Sequence, residues 1–269
     1  MTERQTELDF ETLLYDMKDG VVRITLNREK AANAINLRMA KDLMYAAMAA
    51  DEDPEVRAVV IGAQGKMFCA GGDLGAFAKA GDGMPALVKE MTVYLHAAIS
   101  HLARMRAPVL ASVGGTAAGA GFSLVCAADL VVVAESAKFS MAYTQVGLTP
   151  DGSSTYFMPR LIGTRRTLEL MLTNRRLSAA EALEWGLVNR VVADEELAKA
   201  TNEWATLLAS GATSAFGVTK KLVLGSLGES FEAQMELESR AIAASGRTED
   251  AKEGIAAFLA KRKADFPGR

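Results

Sequence analysis

Continuous apolar runs that end on glycine constrain this chain more than any other feature. Val56 to Ile61 closes on Gly62, and Pro108 to Val113 closes on Gly114-Gly115; Leu130 to Ala134 is a third run. A strand without polar alternation is covered on both faces, as happens in parallel sheets flanked by helices. Helical patterns alternate with these strands. Asn36 is placed to cap a helix from Leu37 to Ala50 with Met39, Leu43, Ala46 and Ala47 on one face, and a second helix is expected from about Ala86 to Met105. A hairpin over residues 12–16 and 21–26 turns at Lys18-Asp19-Gly20. A helix from about Gly121 to Ala127 precedes the third strand. This rhythm reads as α/β.

After Pro159 the pattern turns helical, starting with Arg166–Thr173. Ser178 and Glu181 form a capping box, Gly186 ends that helix, and further helices are expected over 194–209, 213–225, 229–244 and 248–263. The expected division is an α/β core over residues 1–193 and a C-terminal helical region over 194–269. Gly81-Asp82-Gly83 and Met84-Pro85 mark 75–90 as an irregular, mobile loop.

Composition narrows the partners. Half of the 269 residues are hydrophobic, enough for a large core, and 30 basic against 33 acidic residues give no electrostatic reason to bind nucleic acid or a membrane surface. Cys69 and Cys126 are too few for a disulfide framework and sit in small-residue runs, as in a reducing cytosol. The opening MTERQTELDFE carries no apolar signal stretch, so a cytoplasmic location is expected.

Two glycine clusters follow apolar strands, residues 65–74 and 114–123. Small residues let the backbone approach a ligand and point amides at it, and the second cluster opens a helix, whose N-terminus favours negative charge. Two amides converging on one oxygen form an oxyanion hole. Neither cluster is a Walker A loop or a dinucleotide fingerprint, and turn geometry alone accounts for a single loop of this kind.

Four motifs together carry a family resemblance. Asn27-Arg28 through Asn33-Ala34-Ile35-Asn36, Phe68-Cys69-Ala70-Gly71-Gly72-Asp73-Leu74, the block from Pro108 to Leu130 with Gly119-Ala120-Gly121, and Ala257-Phe258-Leu259-Ala260-Lys261-Arg262 resemble the enoyl-CoA hydratase/isomerase (crotonase) superfamily, over residues 12 to 266. The resemblance implies a crotonase-like (ClpP/crotonase) α/β fold of repeated ββα units with C-terminal trimerisation helices, assembling as a homotrimer or dimer of trimers. It implies an acyl-CoA thioester substrate, no cofactor beyond the coenzyme A of the substrate, and no metal. Carried over by position, the oxyanion amides fall on Gly72 and Ala120. Ala70, Gly71, Asp73 and Leu74 would flank coenzyme A, and Lys261 would approach its phosphates from the same or a neighbouring subunit.

The acid–base positions separate the reactions. The two positions that hold glutamates in hydratases of the family are Ser123 and Tyr143 here. Neither ionises near pH 7 unaided, so hydration by a pair of carboxylates is not expected. Asp151, in Thr149-Pro150-Asp151-Gly152-Ser153, resembles the single acid of the family's enoyl-CoA isomerases. One group that removes a proton and returns it elsewhere suits double-bond migration, although Pro-Asp-Gly-Ser is also good turn chemistry. The expected activity is therefore an isomerase of a 3-enoyl-CoA or of a related ring-derived CoA ester, with Tyr143, Ser123 and His96 in the substrate pocket. Asp151 with His96 and an aromatic at 143 also resembles aryl-CoA dehalogenases of the superfamily. Leu95 stands before His96 where those enzymes have an aromatic, and Gly72 lacks their ring. A hydratase without the usual glutamates and a non-catalytic acyl-CoA binder complete the alternatives.

Overall fold

The computed structural model describes residues 9–269. β1 (Leu13–Lys18) and β2 (Val21–Leu26) form the expected hairpin, with Asp19 and Gly20 at φ 51° and 75°, the left-handed pair that a tight hairpin turn requires. Next come α1 (Leu37–Glu52), β3 (Ala58–Ala63), β4 (Met67–Cys69), α2 (Leu74–Ala80) and α3 (Met84–Arg104). The chain continues through β5 (Val109–Val113), β6 (Thr116–Ala118), α4 (Ala120–Cys126), β7 (Leu130–Ala134), β8 (Lys138–Ser140) and α5 (Ser154–Thr173). It ends with β9 (Leu177–Ser178), α6 (Ala179–Glu184), β10 (Arg190–Val192), α7 (Leu197–Ala209), α8 (Thr213–Ser226), α9 (Phe231–Ser245) and α10 (Glu249–Leu259).

Two sheets result. One has the order β1-β2-β3-β5-β7-β10, antiparallel only at β1–β2; the other is β4-β6-β8-β9, antiparallel only at β8–β9. The pairs β3–β4, β5–β6 and β7–β8 each give their first strand to the first sheet and their second to the other. The chain thus winds as a spiral of ββα units. The connections after β4, β6 and β8 all leave from the carboxyl ends of adjacent parallel strands, where α/β sheets bind ligands.

The apolar runs are buried on both faces, as their lack of alternation demands. Val59, Ile61, Val109, Ala111, Val131 and Val133 face the main core, while Val60, Leu110 and Val132 face Ala200 and Ala205 of α7. Each larger side chain so buried is worth about 1.5–3 kcal/mol. Asn36 caps α1, accepting from Met39 N at 2.9 Å, and the small side chains Ala46, Ala47 and Ala50 let α1 pack closely on α3.

The structure differs from the sequence reading in three places. Residues 75–90 are helical rather than an irregular loop: Asp73 caps α2, and Pro85 sits in the first turn of α3, where its missing N–H costs nothing. Helix α5 begins at Ser154, well before 166, and is broken at Gly163 (φ 79°, ψ 156°). The second sheet is built from strands of two or three residues, too short to show a period.

Candidate active site

The first two ββα units place the two glycine clusters side by side. The segment after β4 is laced to residues 32–35 by Ala70 N to Ala32 O at 3.0 Å, Ile35 N to Gly71 O at 2.7 Å and Asp73 N to Ile35 O at 2.9 Å. Buried Asn33 supports both strands of this lacing, accepting from Arg28 N and donating to the Gln64 and Met67 carbonyls. The Gly71 N–H goes to Cys69 Sγ at 3.4 Å. Gly72 N–H, between these bonded groups, has no acceptor among the described residues, and neither has Ala120 N–H at the start of α4.

Glycine permits the contact between the clusters. A Cβ on Gly71 would lie 3.1 Å from Ala118 O and 3.4 Å from Ala120 N, and one on Gly121 would lie 2.4 Å from Cys69 Cβ. Gly119 adopts φ 50°, ψ −126°, a region closed to side chains, which turns the chain so that α4 starts against the first cluster. The result is two amides without acceptors among the described residues, on adjoining loops.

The third unit supplies the acid. Tyr143, after β8, donates its hydroxyl to Asp151 Oδ1 at 2.6 Å, and its ring lies 3.9 Å from where a Gly119 Cβ would be. Burial first, and the Asp151 charge second, push the Tyr143 phenol up, so it remains a neutral donor. His96 Nε2, on α3, lies 3.3 Å from Asp151 Oδ2. The same nitrogen is 3.3 Å from Gly152 N, which can only donate. Nε2 therefore accepts from Gly152 in one tautomer and donates to ionised Asp151 in the other, and cannot do both.

Below Asp151 the backbone is pinned. Ser123 and Ser154, both fully buried, each place Oγ 2.9 Å from the Asp151 carbonyl. Gly152 and Ser153 are left-handed (φ 59° and 67°), and for Ser153 that costs about 1 kcal/mol. The turn is held because Ser123 and Ser154 grip it, and it leaves the Asp151 side chain 30% exposed, facing His96.

Two expected site residues have structural partners. Ser123 is fully buried beneath Asp151, with its hydroxyl on the Asp151 carbonyl. The Asp73 carboxylate is engaged by Arg28 at 3.1 Å and by Ala76 N at 3.0 Å, which makes it the anchor of its loop. Ala70 and Gly72 are half-buried, Gly71 is buried and Leu74 is exposed at the loop rim. Lys261 is exposed past the end of α10, and no hydrogen bond joins it to this loop among the described residues. Sequence reading missed the scaffolding roles of Arg28, Asn33 and Ser154; Arg28 and Asn33 stood in a motif without a local reason for their spacing. His101 turns away from the site to Asp51 Oδ2 at 2.8 Å.

The enoyl-CoA hydratase/isomerase family model matches residues 16–269. The chain is 35% identical to 1,2-epoxyphenylacetyl-CoA isomerase of Escherichia coli over 96% of this chain and 99% of that one. It is 37% identical to a probable enoyl-CoA hydratase of Rhodobacter capsulatus over 97% and 100%. A crystal structure of an enoyl-CoA hydratase from Polaromonas sp. JS666 superposes with a TM-score of 0.90, at 31% identity, covering 94% of this chain and 99% of that one. The chain belongs to the enoyl-CoA hydratase/isomerase family. Its fold is the crotonase fold, and the relatives also include a 4-chlorobenzoyl coenzyme A dehalogenase of Arthrobacter, 33% identical over 90% of this chain and 88% of that one.

Ser123 and Tyr143, expected from the resemblance at the two hydratase glutamate positions, both serve Asp151, one through its carbonyl and one through its carboxylate. A cavity of about 360 Å³ opens beside His96 and Ser153 and runs between α3, α5 and α8. A larger concavity of about 510 Å³ lies on α1, lined by Phe10, Arg38 and Tyr45, and shares no residue with the site. Both thiols are buried and pushed up by desolvation, Cys69 to about 12, so neither is a nucleophile.

Proposed function

We propose that this protein is an acyl-CoA isomerase that moves a double bond from the 3,4 to the 2,3 position of a thioester, or rearranges a related ring-derived ester. One observation carries the reading: the hydroxyls of Ser123 and Tyr143, where the family resemblance puts the hydratase glutamates, both hold Asp151, one at its carbonyl and one at its carboxylate. The amides of Gly72 and Ala120 receive the thioester oxygen as negative charge develops on it. Asp151 removes a proton from the alpha carbon, leaving the enolate, and returns it to the gamma carbon. Tyr143 occupies Oδ1, so Oδ2 carries the proton. Once protonated, Oδ2–H can donate to His96 Nε2, 3.3 Å away, in the tautomer with Nε2 unprotonated, taking the lone pair that Gly152 N–H otherwise uses. No cofactor takes part beyond the coenzyme A of the substrate, which Ala70, Gly71 and Leu74 flank and Lys261 approaches.

The test is turnover of a 3-enoyl-CoA by the wild type and by Asp151→Asn. The variant should lose at least about a hundredfold in kcat, within the range for a general acid–base group. Full activity in the variant removes Asp151 from the mechanism. Rapid 3-hydroxyacyl-CoA formation from a 2-enoyl-CoA points instead to a hydratase.

The His96–Asp151 contact favours a second reading, hydrolytic dehalogenation. There Asp151 Oδ2 bonds to an aryl carbon, halide leaves, and His96 takes a proton from the water that cleaves the ester. Leu95 is buried in the core and Gly72 presents no ring, so no aromatic clamp forms at those positions. Halide release from an aryl-CoA decides for this reading.

The C-terminal helices support a homotrimer or dimer of trimers. Phe231, Ile242, Ile255, Phe258 and Leu259 are all exposed on α9 and α10, with Phe258 at 83%. Apolar exposure of this extent marks an association surface. Sedimentation as a monomer at micromolar concentration overturns the assembly. Among the described residues no helix is long and apolar enough to cross a membrane.

A further inference from the structure

The cavity beside Asp151 has a charged far end. Along one face of α3, His96, Ser100 and Arg104 follow at four-residue spacing and all line it, with Tyr156, Phe157 and Leu224 forming the opposite wall. His96 touches the Asp151 carboxylate, so the cavity begins where the proposed proton transfer ends. Arg104 folds back to donate to Ser100 Oγ and pairs with no carboxylate among the described residues. Among the described residues no acid lines the cavity. Arg160, stacked at 3.6 Å on Tyr156, is likewise without an acidic partner among the described residues.

Arg104 is exposed at the cavity rim, where water solvates it; a methyl-ended chain laid against it would strip that water without replacement, whereas a carboxylate would replace it with a charge-assisted bond. We propose that this cavity binds the far end of an acyl chain bearing a second carboxylate, with Arg104 and Ser100 as its donors. The substrate class is then an unsaturated ω-carboxyacyl thioester. Its length follows from the helix: His96 to Ser100 spans about 6 Å and His96 to Arg104 about 12 Å. An extended chain advances about 1.25 Å per bond, so from a gamma carbon at Asp151 these spans take about five to ten further bonds, a chain of roughly nine to fourteen carbons. This inference rests on the acyl-CoA reading of the site, and its test does not require turnover.

The test is calorimetric binding of two saturated CoA esters of equal chain length, one ending in methyl and one in carboxylate. The wild type should bind the carboxylate-ended ester about tenfold more tightly, the low end for a charge-assisted hydrogen bond at a partly exposed site. In Arg104→Met the ratio should fall to about one, with Arg104→Lys between, as expected for a point charge replacing a fork of donors. Equal binding in the wild type, or a ratio unchanged in Arg104→Met, overturns the proposal. A carboxylate preference in an enzyme that isomerises no 3-enoyl ester keeps the subsite and removes the isomerase. Turnover of methyl-ended 3-enoyl esters without any preference does the reverse.

Discussion

Replacing Gly121 by Ala tests whether the site depends on the close contact between the two amide loops. The added Cβ would stand 2.4 Å from Cys69 Cβ, 2.7 Å from Cys69 O and 2.8 Å from Cys69 Sγ, in fully buried surroundings. Ordinary contact begins near 3.4 Å, so the start of α4 must move from the first cluster by about 1 Å. The carbonyl is backbone, so no rotamer change relieves the clash. Overpacking of this kind costs about 1–3 kcal/mol, a fall of about 2–10 °C in Tm for a domain of this size. The loss in rate should be larger. Gly121 is the neighbour of Ala120, and displacing a donor by 1 Å costs on the order of a hundredfold. The assay pairs thermal unfolding with kcat on a 3-enoyl-CoA, measured well below Tm. Gly62→Ala is the control: it has no positive φ, and its Cβ would meet no atom within 4 Å. That variant should keep its rate and hold or gain stability by a few tenths of a kcal/mol. If folded Gly121→Ala turns over at the wild-type rate, or if Gly62→Ala is equally damaged, the coupled-loop reasoning fails.

Other outcomes follow from the same contacts. Tyr143→Phe removes the 2.6 Å donor to Asp151 and should lower kcat about 10- to 100-fold while KM changes little; a variant with wild-type kcat shows that Asp151 needs no such hold. Acid should weaken the fold between pH 4.5 and 2. Bonds from Ser178 first, and then Arg175, hold Glu181 at about 2, while Arg262 first, and then Asp265 N, hold Glu253 at about 2. Both carboxyls are lower folded than unfolded, so their support is complete above pH 4.5 and lost as pH falls through 2. A Glu181→Gln protein should therefore lose less Tm than the wild type over that window, and an identical loss counts against the cap.

Much of the frame was legible because it depends on local pattern. The runs at 56–61, 108–113 and 130–134 had no polar alternation, and they became β3, β5 and β7 at the centre of the first sheet. The capping box at Ser178 and Glu181 and the Asp19-Gly20 turn are chemistry of adjacent residues, and both formed as expected. Short strands carry no period, so β4, β6, β8 and β9 were invisible. Residues 75–90 show the opposite error. Their glycines read as a loop, yet a cap at Asp73 and burial of Phe77 and Met91 outweighed them.

The sequence by itself determined the α/β class, the family through four ordered motifs, and a lone Asp151 in a segment that resembles that of the family's isomerases. Tertiary structure decided what those residues do to one another. Gly72, Ala120 and Asp151 belong to three successive ββα units, and only the winding of the spiral sets their connections on one edge. Ser123 could not be read as a prop for Asp151, because its partner lies twenty-eight residues away and the bond is to a backbone carbonyl. The same holds for His96 and for Arg104, whose significance rests on the absence of an acid across the cavity. Local spacing specifies elements; long-range contacts, which no window of sequence contains, specify the site.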